Sequence, residues 1–134
     1  MAKTMLYNIY NDLVEAVKPI VGGKCVFLKD RPKFKPGTSP MEKFVVVDLP
    51  ASIGDYVVGS DNYFTTSGVF YLFTQSRSNE TLDVNVMSDL VDVIFSLFPI
   101  SGLYVVASNP EVRLTGSDGN GFQVSTVTFD IHTR

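Results

Sequence analysis

The sequence predicts an α+β domain that has a mostly antiparallel sheet, two helices packed on one face of the sheet and a long C-terminal β-hairpin. Two segments repeat apolar residues every three or four positions, which is the spacing of amphipathic helices. Runs of β-branched and aromatic residues lie between and after them, and the last two runs flank a glycine-rich turn. A chain of 134 residues that is 45% hydrophobic suits one domain, spanning residues 1–134.

The first helix is predicted at residues 5–20. Its apolar stripe is Leu6, Ile9, Leu13, Val17 and Ile20, and the polar positions expected to face water include Asn8, Asn11, Asp12 and Glu15. Thr4 is in place to cap the start of the helix through its hydroxyl. Pro19 and the glycine pair Gly22-Gly23 are expected to end the helix, since proline lacks the backbone N–H that a helical turn needs and glycine is common just after a helix.

Three strands are predicted before the second helix, and residues 53–59 are a candidate for another. Residues 25–28 form a short buried strand, and residues 44–49 form a β-branched strand that ends before a proline. Residues 68–74 are apolar at both alternating positions, which indicates a central strand covered on both faces. The chain is expected to turn into this strand at residues 59–62 or at residues 65–68.

The second helix is predicted to begin with Asn79 or Thr81 as its N-cap. Glu80 and Asp83 then place negative charge in the first turn, where the helix dipole favours it. Leucine, valine and isoleucine residues at three- and four-residue spacing form the buried stripe of this helix. Pro99 is expected to mark its end.

Two long strands, residues 103–114 and 122–132, are predicted to form the C-terminal hairpin. The turn between them, residues 115–121, contains Asp-Gly and Asn-Gly pairs, which suit hairpin connections. Within the second strand the apolar residues move from even-numbered to odd-numbered positions. A bulge or a change of facing partner is therefore expected near Ser125 and Thr126.

Charge and cysteine content disfavour several classes of protein. Eleven Lys and Arg against fourteen Asp and Glu give a net charge of −3, the wrong sign for a protein that binds by neutralising nucleic-acid phosphates. The single cysteine, Cys25, permits no internal disulfide and is expected to be a buried thiol in a reducing compartment. The apolar runs are too short for a membrane span or a signal-peptide core, so we expect no membrane partner and synthesis in the cytoplasm.

No motif in the sequence predicts catalysis, and we expect no enzyme activity, no metal and no cofactor. His132 is the only histidine and lies near the chain end, so a Cys25 and His132 nucleophile pair is disfavoured against a core thiol and a strand-end histidine. Asp118 and Asn120 begin a glycine-rich stretch that starts like a calcium loop. The twelfth position of that loop is Phe129, where a glutamate is needed, so the stretch is interpreted as a hairpin tip.

The charges are distributed unevenly along the chain. Residues 24–35 hold Lys24, Lys29, Arg31, Lys33 and Lys35 against Asp30 alone, a local charge of +4, and the remaining residues carry −7. Asp89 and Asp92 fall on one face of the second helix, which contains no basic residue. A solvated acidic face is the favoured interpretation of this pattern, and a binding surface is the alternative. Unlike patches suit head-to-tail association of copies into a ring. A solvated loop is the alternative interpretation of the basic stretch, as is nucleic-acid contact through Lys33, Phe34 and Lys35.

The order of these parts is similar to that of a known family. In chain order come a short helix, a strand that runs into Phe27-Leu-Lys-Asp-Arg-Pro32, and a variable loop. They are followed by a β-branched strand that ends at Pro50, an aromatic strand, a helix with acidic residues at its start, and the hairpin. The hairpin closes with Val124-Ser-Thr-Val-Thr-Phe-Asp-Ile131 after its glycine-rich turn. Over nearly its whole length the chain resembles the tail-terminator (tail-completion, minor tail protein U-like) family of long-tailed bacteriophages.

The resemblance implies a structural virion protein that is assembled in the host cytoplasm. Members of the family form a ring, usually a hexamer, that caps the tail tube, stops the tube protein from polymerising and offers its other face to a head-completion or neck protein. DNA passes through the lumen without sequence readout, and related rings serve as head–tail connectors or tail hubs. The residues expected at subunit or partner interfaces are Lys29, Arg31, Lys33, Phe34, Lys35, Asp89, Asp92, Asp118 and Asn120.

Two further expectations concern exposed surfaces. Long strands with free edges favour pairing with another chain, so we expect a neighbouring copy to cover edge backbone of the terminal hairpin or of residues 43–59. The competing hypothesis is a small module that binds an apolar ligand or a peptide between sheet and helices. Its pocket would be lined by Tyr71, Tyr104 and Phe129.

Overall fold

Two helices and a six-stranded sheet make up the fold of the residues that the structure describes, so the predicted α+β class is confirmed. The elements are α1 (Met5–Val21), β1 (Val26–Leu28), β2 (Lys43–Asp48), β3 (Thr65–Gln75), α2 (Val84–Ser96), β4 (Ile100–Ser101), β5 (Val105–Ser117) and β6 (Phe122–Thr133). The sheet order is β1-β2-β3-β6-β5-β4, and β1 with β2 is the parallel pair in an otherwise antiparallel sheet. This computed structural model describes residues 5–22, 25–28, 42–49, 65–77, 81–119 and 121–133.

Both helices pack on the same face of the sheet, as the sequence predicts. The helix residues buried there are Ile9, Leu13 and Val17 of α1 and Met87, Leu90 and Ile94 of α2, each at most 2% exposed. They cover Phe70, Val105 and Val127 of the long strands. Full burial of one such side chain contributes about 1.5–3 kcal/mol, so this helix-side core is the main source of stability.

One polar residue of α1 points into the protein, and the prediction that it faces water is wrong. Asp12 is 6% exposed, and its Oδ2 accepts hydrogen bonds from the backbone N–H of Tyr104 at 2.7 Å and of Val105 at 3.0 Å. Gly102 leaves room for the carboxylate, with which an added Cβ would collide. The helix period places Asp12 beside the apolar stripe, and the turn before β5 supplies the donors that allow its burial.

Helix α1 ends at a glycine and not at its proline. It continues through Pro19 to Val21, and Gly22, at a φ of +87°, donates its N–H to the Lys18 carbonyl at 2.8 Å. A left-handed glycine after the last turn is the usual way to satisfy the final carbonyls of a helix. Pro19 lies in the last turn, where it removes a single helical hydrogen bond, and this is why the helix passes it. The predicted cap, Thr4, lies outside the described residues.

Helix α2 begins later than predicted. Its N-cap is Asp83, whose Oδ1 accepts the Val86 N–H at 3.3 Å, so Asp83 precedes the first turn instead of lying within it. Thr81 is therefore not the cap, and the alternative cap at residue 79 lies outside the described residues, as does residue 80. The helix ends at Ser96, ahead of Pro99, as predicted.

Strand β3 lies at the centre of the sheet and is covered on both faces, as predicted. Phe70 belongs to the helix-side core and Phe73 to the cluster on the opposite face. Gly68 lets β6 approach closely, because an added Cβ would lie 2.7 Å from an aromatic carbon of that strand. Residues 65–68 are part of β3, so the turn expected there is wrong. The alternative turn, at residues 59–62, and the candidate strand at residues 53–59 lie outside the described residues.

The sheet face opposite the helices carries an aromatic cluster. Its buried members are Phe44, Val46, Phe73, Phe122 and Val124, and Cys25, Phe27 and Tyr71 pack against them. The Phe44 ring stacks on Phe73 at 4.4 Å and meets the edge of Phe122 at 5.1 Å, both favourable arrangements. Cys25 is only partly buried, so its predicted complete burial is wrong.

The position of β6 in the sheet accounts for the shift of its apolar residues from even-numbered to odd-numbered positions. It keeps unbroken register with β3, from Phe122 opposite Gln75 to His132 opposite Thr65, and no bulge separates the two strands. Phe122 joins the aromatic cluster, whereas Val127 joins the helix-side core. The change of facing partner expected near residues 125 and 126 is confirmed, and the irregularities lie on β5 instead.

Candidate assembly surface on the terminal hairpin

A long stretch of backbone without a partner strand runs along the outer side of β5 in the described part of the sheet. On its inner side β5 pairs with β6, but on its outer side β4 reaches only Val106 and Ala107. From Ser108 to Ser117 the outer backbone of β5, here named the β5 edge, pairs with none of the strands in the described part of the chain. Such an edge is a template for another strand. Residues 45–47 of β2, in contrast, pair on both sides, so this part of the second predicted edge is interior.

Two bulges shape the β5 edge. The register with β6 shifts between Ser108 and Glu111 and again between Leu114 and Gly116, each time with one extra residue on β5. At the first shift Asn109 has a φ of 58°, and its side-chain amide donates to an Asp130 carboxylate oxygen at 3.0 Å. Bulges bend a strand and end its regular pairing, so the β5 edge offers one short regular segment, residues 111–114.

The regular segment has an apolar face and a charged face. Val112 and Leu114 lie opposite residues of β6 that face the helices, yet they are 45% and 66% exposed because the helices do not reach them. Glu111 and Arg113 lie on the sheet face opposite the helices, here named the helix-free face. There they line a shallow depression of about 430 Å³ together with threonines such as Thr126. The β5 edge therefore presents backbone groups, apolar side chains and both signs of charge to the same partner.

The predicted site residues fall into three groups. Asp89 and Asp92 share the exposed face of α2, as expected from their spacing. Asp118 shapes the hairpin turn, since its Oδ1 accepts the Phe122 N–H at 3.1 Å and its own N–H donates to the Phe122 carbonyl at 3.0 Å. The remaining predicted interface residues, Lys29, Arg31, Lys33, Phe34, Lys35 and Asn120, lie outside the described residues.

The structure contradicts a Cys25 and His132 nucleophile pair. Cys25 precedes β1 and His132 ends β6, and two strands, β2 and β3, lie between them in the sheet. Three inter-strand spacings amount to about 14 Å, far beyond the reach of a hydrogen bond. Among the described residues, no three His, Cys, Asp or Glu side chains group together as metal ligands.

The pocket proposed for a binding module does not form as predicted. Phe129 is buried in the helix-side core, whereas Tyr71 packs against the aromatic cluster on the other face. Tyr104 is exposed in the turn held by Asp12. The three side chains therefore line no common cavity.

Sequence reasoning missed Val112 and Leu114 as candidate interface residues. The alternation Glu111-Val-Arg-Leu114 is visible in the sequence, and alternation of this kind normally indicates a strand with one buried face. Their exposure depends on sheet order, since β5 lies beyond the cover of the helices. The available signal was therefore the pattern itself, without its position in the sheet.

Comparison of the sequence with models of protein families finds no match, and comparison with curated proteins finds no significant relative. The helices of the described residues are too short or too polar to cross a membrane. The function must accordingly be argued from the surfaces of the chain.

Proposed function

We propose that this chain is a structural protein of a long-tailed bacteriophage, in which copies form a ring, six in number, that caps the tail tube and joins it to the head or neck. The observation that carries the proposal is the β5 edge, where Val112 and Leu114 are exposed and the outer backbone from Ser108 to Ser117 pairs with none of the described strands. A closed ring uses such an edge without leaving it open to aggregation.

A ring with one kind of contact requires two unlike surfaces on each copy. The two sides of the described sheet are unlike: one ends in the short parallel strand β1, with Leu28 54% exposed, and the other in the long antiparallel β5, which β4 covers only at Val106 and Ala107. The basic stretch, residues 24–35, includes β1 and carries +4, and the exposed acids Asp89 and Asp92 of α2 provide a complement. Opposite charges on unlike patches favour one orientation of each copy relative to the next.

The net negative charge of the chain also suits a ring through which DNA passes. A net charge of −3 supplies little attraction for phosphates, so DNA would pass through the ring without being held or read. The tube protein would meet one rim of the ring and a head-completion or neck protein the other. The protein would then be located in the virion, at the tail or neck.

Native mass spectrometry and electron microscopy of the purified chain, alone and with isolated tail tubes, test the ring. The expected particle has six times the 14.8 kDa chain mass and lies at one end of the tubes. The double variant Val112→Lys, Leu114→Lys is expected to abolish it, because the substitutions place charge on the apolar face of the β5 edge.

The matched control is Leu6→Lys, Leu103→Lys, which adds the same charge at exposed leucines outside the β5 edge and outside α2, 42% and 79% exposed. This variant is expected to form rings as the unmodified chain does. The ring proposal is contradicted if neither the free chain nor the chain on tubes forms a closed particle of more than two copies.

A further inference from the structure

The regular segment of the β5 edge is complementary to itself. From this we propose that the free protein forms a twofold dimer, in which the β5 edges of two copies pair antiparallel about an axis at Val112. The partner at this edge is thus a second copy of the chain. The proposal concerns the free chain and does not depend on the ring.

Backbone geometry limits where the axis can lie. Residues directly opposite each other in an antiparallel pair must point their N–H and C=O groups in the same sense, either both toward or both away from the partner. When the two strands are identical, this condition places the twofold axis at a residue and not between two residues. Within the regular segment the axis can then lie at residue 111, 112, 113 or 114.

The charges select among these positions. An axis at Val112 places Glu111 of each copy opposite Arg113 of the other, which gives two attractive cross-strand pairs. An axis at Glu111 or at Arg113 instead places like charges opposite each other. An axis at Leu114 leaves Glu111 without a basic residue opposite it.

The two charged side chains are available for this pairing. Glu111 and Arg113 are exposed on the helix-free face. The ion pair found in the described part of the chain joins Lys18 to Glu15 at 3.0 Å and involves neither Glu111 nor Arg113. The pairing would therefore break no ion pair among the described residues.

The apolar face of the segment agrees with the same axis. Val112 would meet Val112 of the second copy, and Leu114, one residue beyond the three paired residues, would face the bulge that contains Pro110 of the second copy. Both exposed side chains would then be removed from water, each with a favourable contribution. Pro110 lacks an N–H and is tolerated because it lies on the edge strand beside a bulge.

The contact is limited both in its length and in the number of copies it can join. They end regular pairing before Glu111 and after Leu114, so a longer ladder is not available. A twofold contact also consumes the same edge on both copies, which leaves no β5 edge for a third. In the proposed ring a different surface of the neighbour covers this edge, so a chain would leave the dimer when it enters the ring.

Sedimentation velocity over a concentration series tests the dimer. The wild-type chain is expected to be dimeric, and each single variant, Glu111→Arg or Arg113→Glu, is expected to weaken the dimer by about tenfold or more, because both cross-strand pairs become repulsive. Asp92→Arg on α2 makes the same change of charge as Glu111→Arg, and Arg77→Glu after β3 makes the same change as Arg113→Glu; both controls are expected to leave the dimer intact.

Restoration distinguishes a twofold contact from any other. An equimolar mixture of Glu111→Arg and Arg113→Glu chains should form a heterodimer, since both pairs are again attractive, and the double variant Glu111→Arg, Arg113→Glu should dimerise as the wild type does. Circular dichroism confirms that each variant is folded. A wild-type monomer at every concentration, rings without dimers, or failure of the mixture to restore dimerisation would overturn the pairing.

Discussion

The buried carboxylate of Asp12 accepts a hydrogen bond from the backbone N–H of Val105 at 3.0 Å. The same oxygen accepts the Tyr104 N–H at 2.7 Å, so one side chain near the middle of α1 fixes the start of β5. A charged acceptor with two backbone donors is stronger than a neutral hydrogen bond. The strand that carries the proposed assembly surface is therefore anchored to the helix layer at its beginning.

Replacing Asp12 by alanine should destabilise the protein by about 2–4 kcal/mol, because two backbone donors lose their acceptor in a mostly buried site. Urea denaturation followed by circular dichroism measures the change in the free energy of unfolding. Asp12→Asn is the matched control: it keeps an oxygen acceptor of the same shape, and we expect a loss of about 1 kcal/mol. Equal stability of Asp12→Ala and the wild type would contradict the anchoring role.

Gly102 and Asp12 should be energetically coupled. A methyl group at residue 102 would collide with the Asp12 carboxylate, so Gly102→Ala is expected to cost about 1–3 kcal/mol. In the Asp12→Ala background the collision with the carboxylate is gone, but the contact with the Cβ of residue 12 at 2.7 Å remains, so the same methyl group should cost less without becoming neutral. The coupling energy of this double-mutant cycle, about 1 kcal/mol, comes from four denaturation curves. Simple additivity of the two changes would show that the collision is not the cause.

Local sequence patterns were sufficient for the elements whose signals lie within one segment. The stripe Leu13 and Val17 of α1, and the run of apolar residues around Phe70, predicted the helix and the central strand because burial on one or both faces determines their periods. The glycine-rich turn likewise predicted the hairpin, whose turn glycines Gly119 and Gly121 have φ values of +78° and +91°.

Features that depend on contacts between distant segments could not be predicted in this way. The burial of Asp12 requires donors about ninety positions further along the chain. The exposure of Leu114 requires knowledge that β5 lies near the end of the sheet order. The two bulges of β5 add a residue without any proline or glycine signal that is specific to a bulge, since Pro110 and Gly116 also suit ordinary turns.

Asp83 and Asp89 lie on the same helix but should differ in their effect on stability. Asp83 accepts the Val86 N–H as the N-cap of α2, so Asp83→Ala is expected to cost about 1 kcal/mol. Asp89 is exposed on the helix surface, and Asp89→Ala should change stability by less than about 0.5 kcal/mol. Thermal and urea denaturation of the two variants give the comparison. A loss at Asp89 as large as that at Asp83 would mean that α2 depends on its acidic face and not on its cap.

The proposed ring contact makes a separate prediction for the basic stretch. The double variant Lys33→Glu, Lys35→Glu should weaken the ring by about tenfold or more, because two attractive charges become repulsive toward acidic neighbours, and 0.5 M salt should weaken the wild-type ring in the same direction. Adding Asp89→Lys and Asp92→Lys to that variant should restore assembly.

The control for this charge reversal is Lys18→Glu, Arg77→Glu, which makes an equal change of charge at exposed positions on α1 and after β3. Native mass spectrometry of the variants, at equal concentration and ionic strength, reports the fraction of chains in rings. Because the control alters the net charge by the same amount, a loss confined to the Lys33 and Lys35 variant identifies a local contact and not general repulsion. Assembly that is indifferent to the Lys33 and Lys35 reversal would remove the basic stretch from the interface and leave the β5 edge to account for the ring contact.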